Sequence, residues 1–214
     1  MSAVEPIRIA VFASGRGSNL TAILRRIDEG KLSASVVAVF SNNSNAGALQ
    51  TAREYGIPAH HLSRRQFDDD DAFEETLLRT LTEADVELVV LAGYMKMMPE
   101  RIVRAFQGRM LNIHPALLPA FGGRGMYGHF VHEAVLEYGC KVSGVTVHLV
   151  DADYDTGAPV LQRCVPVLED DTPETLAARV LEEEHRIYAD AIQLFAERRV
   201  RVEGRRVHIL SEPG

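Results

Sequence analysis

The sequence predicts an α/β fold with an open, mostly parallel, Rossmann-like sheet and helices on both faces. Short apolar runs alternate with longer amphipathic segments along the 214 residues, which is typical of strands joined by helical crossovers. The run at 86–92 is nearly all apolar, as expected for a strand that is covered on both faces. In such sheets ligands bind beyond the carboxyl ends of the strands, so the functional residues are expected there.

The N-terminal elements follow from two periodicities and from glycines that end the helices. Residues 7–13 are an apolar run typical of a strand, and residues 19–29 carry four apolar side chains at helical spacing before Gly30. The same alternation continues along the chain. It predicts strands at 36–40, 59–62, 86–92 and 110–114, and helices at 46–55, 71–84, 102–106 and between 128 and 138.

The C-terminal third has a different order. Residues 142–150 and 159–167 are two extended runs joined by an acidic loop, and residues 173–198 predict one long helix. Residues 200–210, with Gly204 in the middle, predict a small closing hairpin.

Composition and charge indicate that residues 1–214 form one globular domain. Apolar residues make up 46% of the chain and the net charge is −7, which argues against disorder and against non-specific binding to nucleic acid. The first apolar run is far shorter than a membrane-spanning helix, so we expect no membrane segment. Cys140 and Cys164 lack the spacing of a redox or metal motif, and we interpret both as buried thiols in the cytoplasm.

The first junction between a strand and a helix, Ser14–Asn19, contains two glycines, a hydroxyl and an amide. Backbone N–H groups and the positive end of the helix would hold a phosphate there without a metal. The stretch matches neither a dinucleotide fingerprint nor a P-loop. Taken alone, it is equally well explained as a glycine turn with a serine N-cap.

Asn112 and His114 share a face at the carboxyl end of a predicted strand, because side chains alternate along strands. Pro115 restricts the backbone of His114 to extended conformations. An amide donor beside an imidazole suits acyl transfer, since the amide stabilises an oxyanion and the imidazole moves a proton. The competing explanation is a histidine that is hydrogen-bonded to the backbone at the end of a strand.

The acidic loop Asp151–Gly157 supplies a carboxylate that would orient this imidazole, although a solvated turn explains the same residues. Metal catalysis is not predicted. His60 and His61 would face opposite ways on a strand, and the helically spaced His129 and His132 have no third ligand nearby.

In combination, these motifs are much more specific. The chain resembles the glycinamide ribonucleotide formyltransferase family in the Ser-Gly-x-Gly-Ser-Asn turn, in Ala92–Lys96, in Asn112–Pro119 and in Thr146–His148 followed by Asp155. The match runs in order from about Arg8 to about Ala196. It implies formyl transfer from 10-formyltetrahydrofolate to glycinamide ribonucleotide, two small-molecule ligands, no metal, and a monomer or a homodimer.

The resemblance also implies roles for individual residues. The phosphate would bind in the half before about residue 100, and folate binding and catalysis would belong to the half after it. The implied catalytic residues are Asn112, His114 and Asp155. The implied substrate-binding residues are Gly15, Arg16, Gly17, Ser18, Asn19 and Glu184. The implied folate-binding residues are Met95, Lys96, Met97, Met98, Asn112, Val150, Asp151 and Ala152.

The sequence departs from the family pattern in two places. Gly122–Gly128 is longer and richer in glycine than the usual stretch, so it is a candidate mobile lid and leaves the alignment of His129 open. The acidic residues 68–71 stand where some members carry a basic residue beside the folate tail, with Arg64 or Arg65 as replacements. A formyltetrahydrofolate deformylase and a binding module without catalysis are the alternative functions.

Overall fold

The computed structural model describes residues 5–211, which contain a seven-stranded sheet and a separate two-stranded hairpin. The strands are β1 (Ile7–Phe12), β2 (Ala34–Ser41), β3 (Ala59–His61), β4 (Leu88–Leu91), β5 (Met110–His114), β6 (Val142–Leu149), β7 (Pro159–Pro166), β8 (Val200–Glu203) and β9 (Arg206–Ile209). The α-helices are α1 (Ser18–Asp28), α2 (Gly47–Glu54), α3 (Asp70–Glu83), α4 (Glu100–Ala105), α5 (His129–Glu137) and α6 (Pro173–Ala196).

The strand order is β3-β2-β1-β4-β5-β6-β7, and the first five strands of that order pair in parallel. β6 and β7 then extend the sheet in antiparallel fashion. The chain moves outward from β1 to β3 and returns to β4 on the other side of β1. This reversal opens a crevice at the carboxyl ends of β1 and β4, which is where α/β sheets bind ligands.

Two apolar cores lie on opposite faces of the sheet. In β1, Ile9 and Val11 face one core while Ala10 and Phe12 face the other, because successive side chains alternate. The first core packs against α1, α2, α5 and α6, and the second packs against α3 and α4. The predicted α/β fold, with helices on both faces and a C-terminal hairpin, is therefore confirmed.

The prediction that both cysteines are buried is wrong. Cys164 is exposed and Cys140 is only partly buried. Cys164 lies on β7, which is one of the two edge strands of the seven-stranded sheet, and three consecutive residues there, 162–164, are exposed. Cysteine is usually a buried residue type, but residue type alone does not show that the strand of Cys164 lies at the edge of the sheet. Across residues 5–211, no helix has both the length and the apolar character that crossing a bilayer requires.

Candidate active site

The turn after β1 brings the start of α1 against α2. Gly17 is the N-cap of α1 with φ of 81°, and a Cβ on it would lie 2.8 Å from both Cα and Cβ of Ala48. Only glycine fits this backbone at this distance. The serine cap considered from the sequence is absent, because Ser18 is the first residue of α1 and no side chain caps the helix. The first N–H groups of such a helix are free to bind an anion.

Asn19, on the first turn of α1, reaches across to Glu184 on α6. Its Nδ2 donates a hydrogen bond to Oε2 of Glu184 over 2.8 Å. Burial raises the pKa of Glu184, and the hydrogen bond from Asn19 partly opposes that effect. Two residues that were assigned to substrate binding on separate motifs therefore meet in one place.

His114 ends β5 and is almost fully buried. Its Nε2 donates to the carbonyl oxygen of Phe121 over 2.8 Å, and its Nδ1 lies 3.5 Å from Oδ2 of Asp155. The ring is therefore hydrogen-bonded to the backbone, as the competing explanation expects, and it also faces a carboxylate. Burial lowers the pKa of His114, while the charge of Asp155 and the Phe121 carbonyl oppose this.

Asp155 projects from the acidic loop with φ of 56°, in the left-handed region. Its Oδ2 accepts a hydrogen bond from the backbone N–H of Gly123 over 2.9 Å. Burial raises the pKa of Asp155, but His148, His114 and the Gly123 amide lower it by more, so the pKa lies below the ordinary value. The group is therefore a carboxylate at neutral pH, and it accepts rather than donates hydrogen bonds.

His148, for which the sequence predicted no role of its own, is hydrogen-bonded to Asn112. The two residues pair across β5 and β6, and Nδ2 of Asn112 donates to Nε2 of His148 over 3.0 Å. Nδ1 of His148 donates to the carbonyl oxygen of Leu149 over 2.8 Å, so Nε2 of the neutral ring accepts the hydrogen bond from Asn112. The same Nε2 lies 3.5 Å from Oδ1 of Asp155. The Asn112 amide is therefore fixed by one N–H and keeps the other for a ligand. Predicting this contact would require the register of the antiparallel pair β5 and β6, which places Asn112 opposite His148.

A cavity of about 420 Å³ lies beyond the carboxyl ends of β1, β4 and β5. Its wall contains Asn19, Asn112, His114, Asp155 and Glu184, together with most of the glycine-rich loop. Gly15, Arg16, Gly17 and Ser18 belong to the adjoining turn and are not part of that wall. The predicted catalytic residues thus share one cavity with two of the six predicted substrate-binding residues.

A smaller cavity of about 70 Å³ adjoins the first. Tyr94, Asn112, Tyr154 and Asp155 line both cavities. The smaller cavity also contains seven of the residues predicted to bind folate, counting Asn112: Lys96, Met97, Met98, Asn112, Val150, Asp151 and Ala152. Met95, the eighth, lines the larger cavity instead.

Ser14 links the turn after β1 to the loop after β4 through hydrogen bonds, which the sequence did not predict. Its hydroxyl accepts a hydrogen bond from the backbone N–H of Met95 over 2.8 Å and donates to Oδ1 of Asn42 over 2.5 Å. The serine is almost fully buried. The two loops that border the cavities therefore share one hydroxyl group.

The basic residues near the predicted folate tail differ in their contacts. Arg64 is bonded to Asp70 and to the carbonyl oxygen of Phe67. Arg64, Arg65 and Lys96 all line a third cavity of about 520 Å³. Within residues 5–211, no cluster of three histidine, cysteine or acidic side chains has the geometry of a metal site.

Comparisons with known proteins show the family to which the chain belongs. Residues 7–192 match the model of the formyl transferase family. The phosphoribosylglycinamide formyltransferase of Vigna unguiculata chloroplasts is 44% identical over 193 residues, which cover 90% of this chain and 62% of that protein. The Bacillus subtilis phosphoribosylglycinamide formyltransferase is 36% identical over 87% of this chain and 93% of its own length.

Solved structures show the same likeness. Glycinamide ribonucleotide transformylase 1 from Symbiobacterium toebii has a TM-score of 0.90 and 47% identity, covering 96% of this chain and 95% of its own. A formyltetrahydrofolate deformylase from Pseudomonas syringae has a TM-score of 0.86 but only 24% identity, over 97% of this chain and 67% of its own, and therefore shares the fold alone. The chain belongs to the formyl transferase family, and it is similar to phosphoribosylglycinamide formyltransferases over most of its length.

Proposed function

We propose that this protein transfers the formyl group of 10-formyltetrahydrofolate to the amine of 5'-phosphoribosylglycinamide, giving formylglycinamide ribonucleotide in purine biosynthesis. One observation carries the proposal. Asn112 and Asp155 line both adjoining cavities, and His114 lies beside them, so one ligand in each cavity would meet at these residues. The relatives and solved structures named for the same reaction support it.

The ribonucleotide occupies the larger cavity in this proposal. Its phosphate binds at the turn Gly15–Asn19, where the N–H groups at the start of α1 complement a dianion. Glu184 lies on the same wall as Asn19 and accepts hydrogen bonds from the ribose hydroxyls. The region before about residue 100 thus holds the phosphate, and the rest of one continuous domain holds the folate and the catalytic groups.

The pterin end of the folate enters the smaller cavity in this proposal, and the rest of the molecule extends beyond it. Met97 and Met98 supply apolar contacts, and the segment Val150–Ala152 presents backbone groups to the pterin. The formyl group then reaches Asn112, which belongs to both cavity walls. No metal takes part in the proposed reaction.

The chemistry is an attack by the amine nitrogen on the formyl carbon. The free N–H of Asn112 stabilises the oxyanion that forms, as a fixed amide donor does in other acyl transfers. A new C–N bond forms, the bond from the formyl carbon to N10 of the folate breaks, and one proton passes from the amine to N10. His114 moves that proton, and Asp155 stabilises the charged imidazole.

An absorbance assay tests this proposal: the protein is mixed with 10-formyltetrahydrofolate, with and without 5'-phosphoribosylglycinamide, in the absence of metal. Turnover only with the ribonucleotide is the expected result. Equal turnover without it would instead establish a deformylase, in which water attacks the same formyl group. Binding of both ligands without turnover would establish a binding module.

The compartment and the assembly are further parts of the proposal. Two free cysteines, one of them exposed, suit the reducing cytoplasm. The chain functions as a monomer or as a homodimer, and its partners are small molecules rather than nucleic acid.

A further inference from the structure

The segment Phe121–Gly123 contacts both members of the His114–Asp155 pair through its main chain. The carbonyl oxygen of Phe121 accepts from Nε2 of His114 over 2.8 Å, and the N–H of Gly123 donates to Oδ2 of Asp155 over 2.9 Å. These main-chain groups do not depend on a side chain. No motif in the sequence could therefore point to them.

The Phe121 contact fixes the position of a proton on His114. A carbonyl oxygen only accepts hydrogen bonds, so Nε2 carries a proton in both the neutral and the charged ring. Nδ1 is then the nitrogen that gains and loses a proton. It faces Oδ2 of Asp155 at 3.5 Å, and that oxygen is also an acceptor. A neutral ring thus presents two acceptors side by side to any group that brings N–H bonds.

Gly122 allows the segment to lie this close. A Cβ on Gly122 would stand 2.5 Å from Cδ2 of Leu118 and 3.3 Å from Cβ of Asp155. Gly122 does not have a positive φ, so the requirement for glycine here is one of space. Phe121 does have a positive φ of 52°, which L-residues rarely adopt, so its surroundings hold it in a strained conformation.

We infer that Phe121, Gly122 and Gly123 are positioning residues for formyl transfer, which hold His114 with Nε2 protonated so that Nδ1 takes up the proton of the attacking amine. This inference rests on the proposed function. As the new C–N bond forms, an N–H bond of the amine breaks and its proton passes to Nδ1, which gives an imidazolium beside Asp155. The proton then leaves Nδ1 for N10 of the folate as the bond between N10 and the formyl carbon breaks.

The first experiment reads the proton position without any substrate. Nitrogen-15 NMR of the histidine rings distinguishes a protonated nitrogen from one with a lone pair, and His114 is assigned by comparison with His114→Gln. At a pH where the ring is neutral, we expect the proton on Nε2 and the lone pair on Nδ1. A proton on Nδ1, or an even mixture of the two tautomers, would overturn the inference. This result does not depend on the reaction that the protein catalyses.

The second experiment perturbs the segment. Gly122→Ala should lower kcat by roughly ten- to a hundredfold, as expected for catalytic groups displaced by a fraction of an ångström, and should leave both KM values nearly unchanged. It should also populate the second tautomer of His114. Leu118→Val removes the methyl carbon that the new Cβ would meet, so the double variant should recover a large part of the lost kcat and restore the Nε2 tautomer.

Ala120→Ser is the matched control. It adds one heavy atom at an exposed position of the same loop and should leave kcat unchanged. A wild-type kcat and a single tautomer in Gly122→Ala would overturn the inference. So would a loss of kcat that Leu118→Val does not relieve. If Gly122→Ala does not fold, the tautomer of the wild-type protein decides.

Discussion

Nδ2 of Asn19 donates a hydrogen bond to Oε2 of Glu184 over 2.8 Å and so joins the start of α1 to the long helix α6. The two residues are separated by 165 positions in the sequence. Burial removes part of the hydration of the Glu184 carboxylate, and the side-chain amide of Asn19 donates a hydrogen bond to it. A ribose hydroxyl would supply a second donor, so ligand binding and the charge of Glu184 are coupled.

Replacing Glu184 with Gln should stabilise the ligand-free protein at neutral pH. Burial raises the pKa of Glu184, so the folded chain holds the carboxyl proton more tightly than the unfolded chain does. The free energy of unfolding therefore falls as pH rises from the ordinary carboxyl pKa towards the raised one, and it stays lower above that range. Gln carries no charge and removes this loss.

Urea unfolding at about pH 4 and about pH 8 tests this, because both proteins pass through the same titrations except at residue 184. The stability gain of Glu184→Gln should be larger at the higher pH. Glu182→Gln, on the exposed face of the same helix, should show no such difference. A gain that is equal at the two pH values, or a loss at the higher pH, would contradict the prediction.

Replacing His114 with Ala should lower turnover by roughly a hundredfold or more, since a positioned proton-transfer group contributes that much. Binding of both ligands, measured by calorimetry, should remain close to wild type because the cavity keeps its other walls. His208→Ala, on the C-terminal hairpin, is the control and should keep full activity. A near-normal rate in His114→Ala would remove this histidine from the proposed chemistry.

His148 lines the smaller cavity, and we expect it to matter chiefly through its hydrogen bond with Asn112. Replacing His148 with Phe removes the acceptor of the Asn112 amide, and we expect kcat to fall by about tenfold, less than when an oxyanion donor is removed outright. His148→Gln retains a side-chain oxygen that accepts from Asn112, so it should recover much of the loss. Steady-state kinetics of both variants, with KM for each substrate, provide the measurement. Equal losses in the two variants would contradict a role for this acceptor.

The strand alternation predicted from sequence placed Asn112 and His114 on one face of β5, and the structure confirms that geometry. The mostly parallel pairing of the strands followed in the same way from the helices between apolar runs, whereas the order of the strands did not. Contacts that join distant strands or use main-chain atoms could not be predicted. The hydrogen bond from Asn112 to His148 needs the register of β5 with β6, and the Phe121 carbonyl carries no sequence signature.

The exposure of side chains on the edge strand β7 could not be predicted from the sequence either. Pattern analysis predicts that a residue lies in a strand but not where that strand lies in the sheet. The sequence therefore predicts a buried thiol at Cys164, whereas β7 has a neighbour on one side only within the seven-stranded sheet and the thiol is exposed. The wrong prediction of burial therefore arises from tertiary structure, which local patterns do not report. The helices and strands themselves were predicted to within a few residues of their ends.

Gly17 should be the most sensitive position of the Gly15–Asn19 turn, where we propose that the phosphate binds. Ala at this position would adopt a φ of 81° and place its Cβ 2.8 Å from two carbons of Ala48. We expect Gly17→Ala to lower the free energy of unfolding by about 1–3 kcal/mol, the usual range for strain at a positive φ. KM for the ribonucleotide should rise severalfold or more while KM for the folate changes little, because the turn borders only the larger cavity.

Two further variants separate the causes of that effect. Gly15→Ala has no atom within 4 Å of its new Cβ and no positive φ, so its free energy of unfolding should match wild type. Gly17→Ala combined with Ala48→Gly removes the contact with the Ala48 methyl but keeps the strained φ, and it should recover only part of the stability. Urea unfolding and initial-rate kinetics measure both effects. An unchanged KM for the ribonucleotide in a folded Gly17→Ala protein would remove the turn from phosphate binding, and a deformylase using water would then explain the site better.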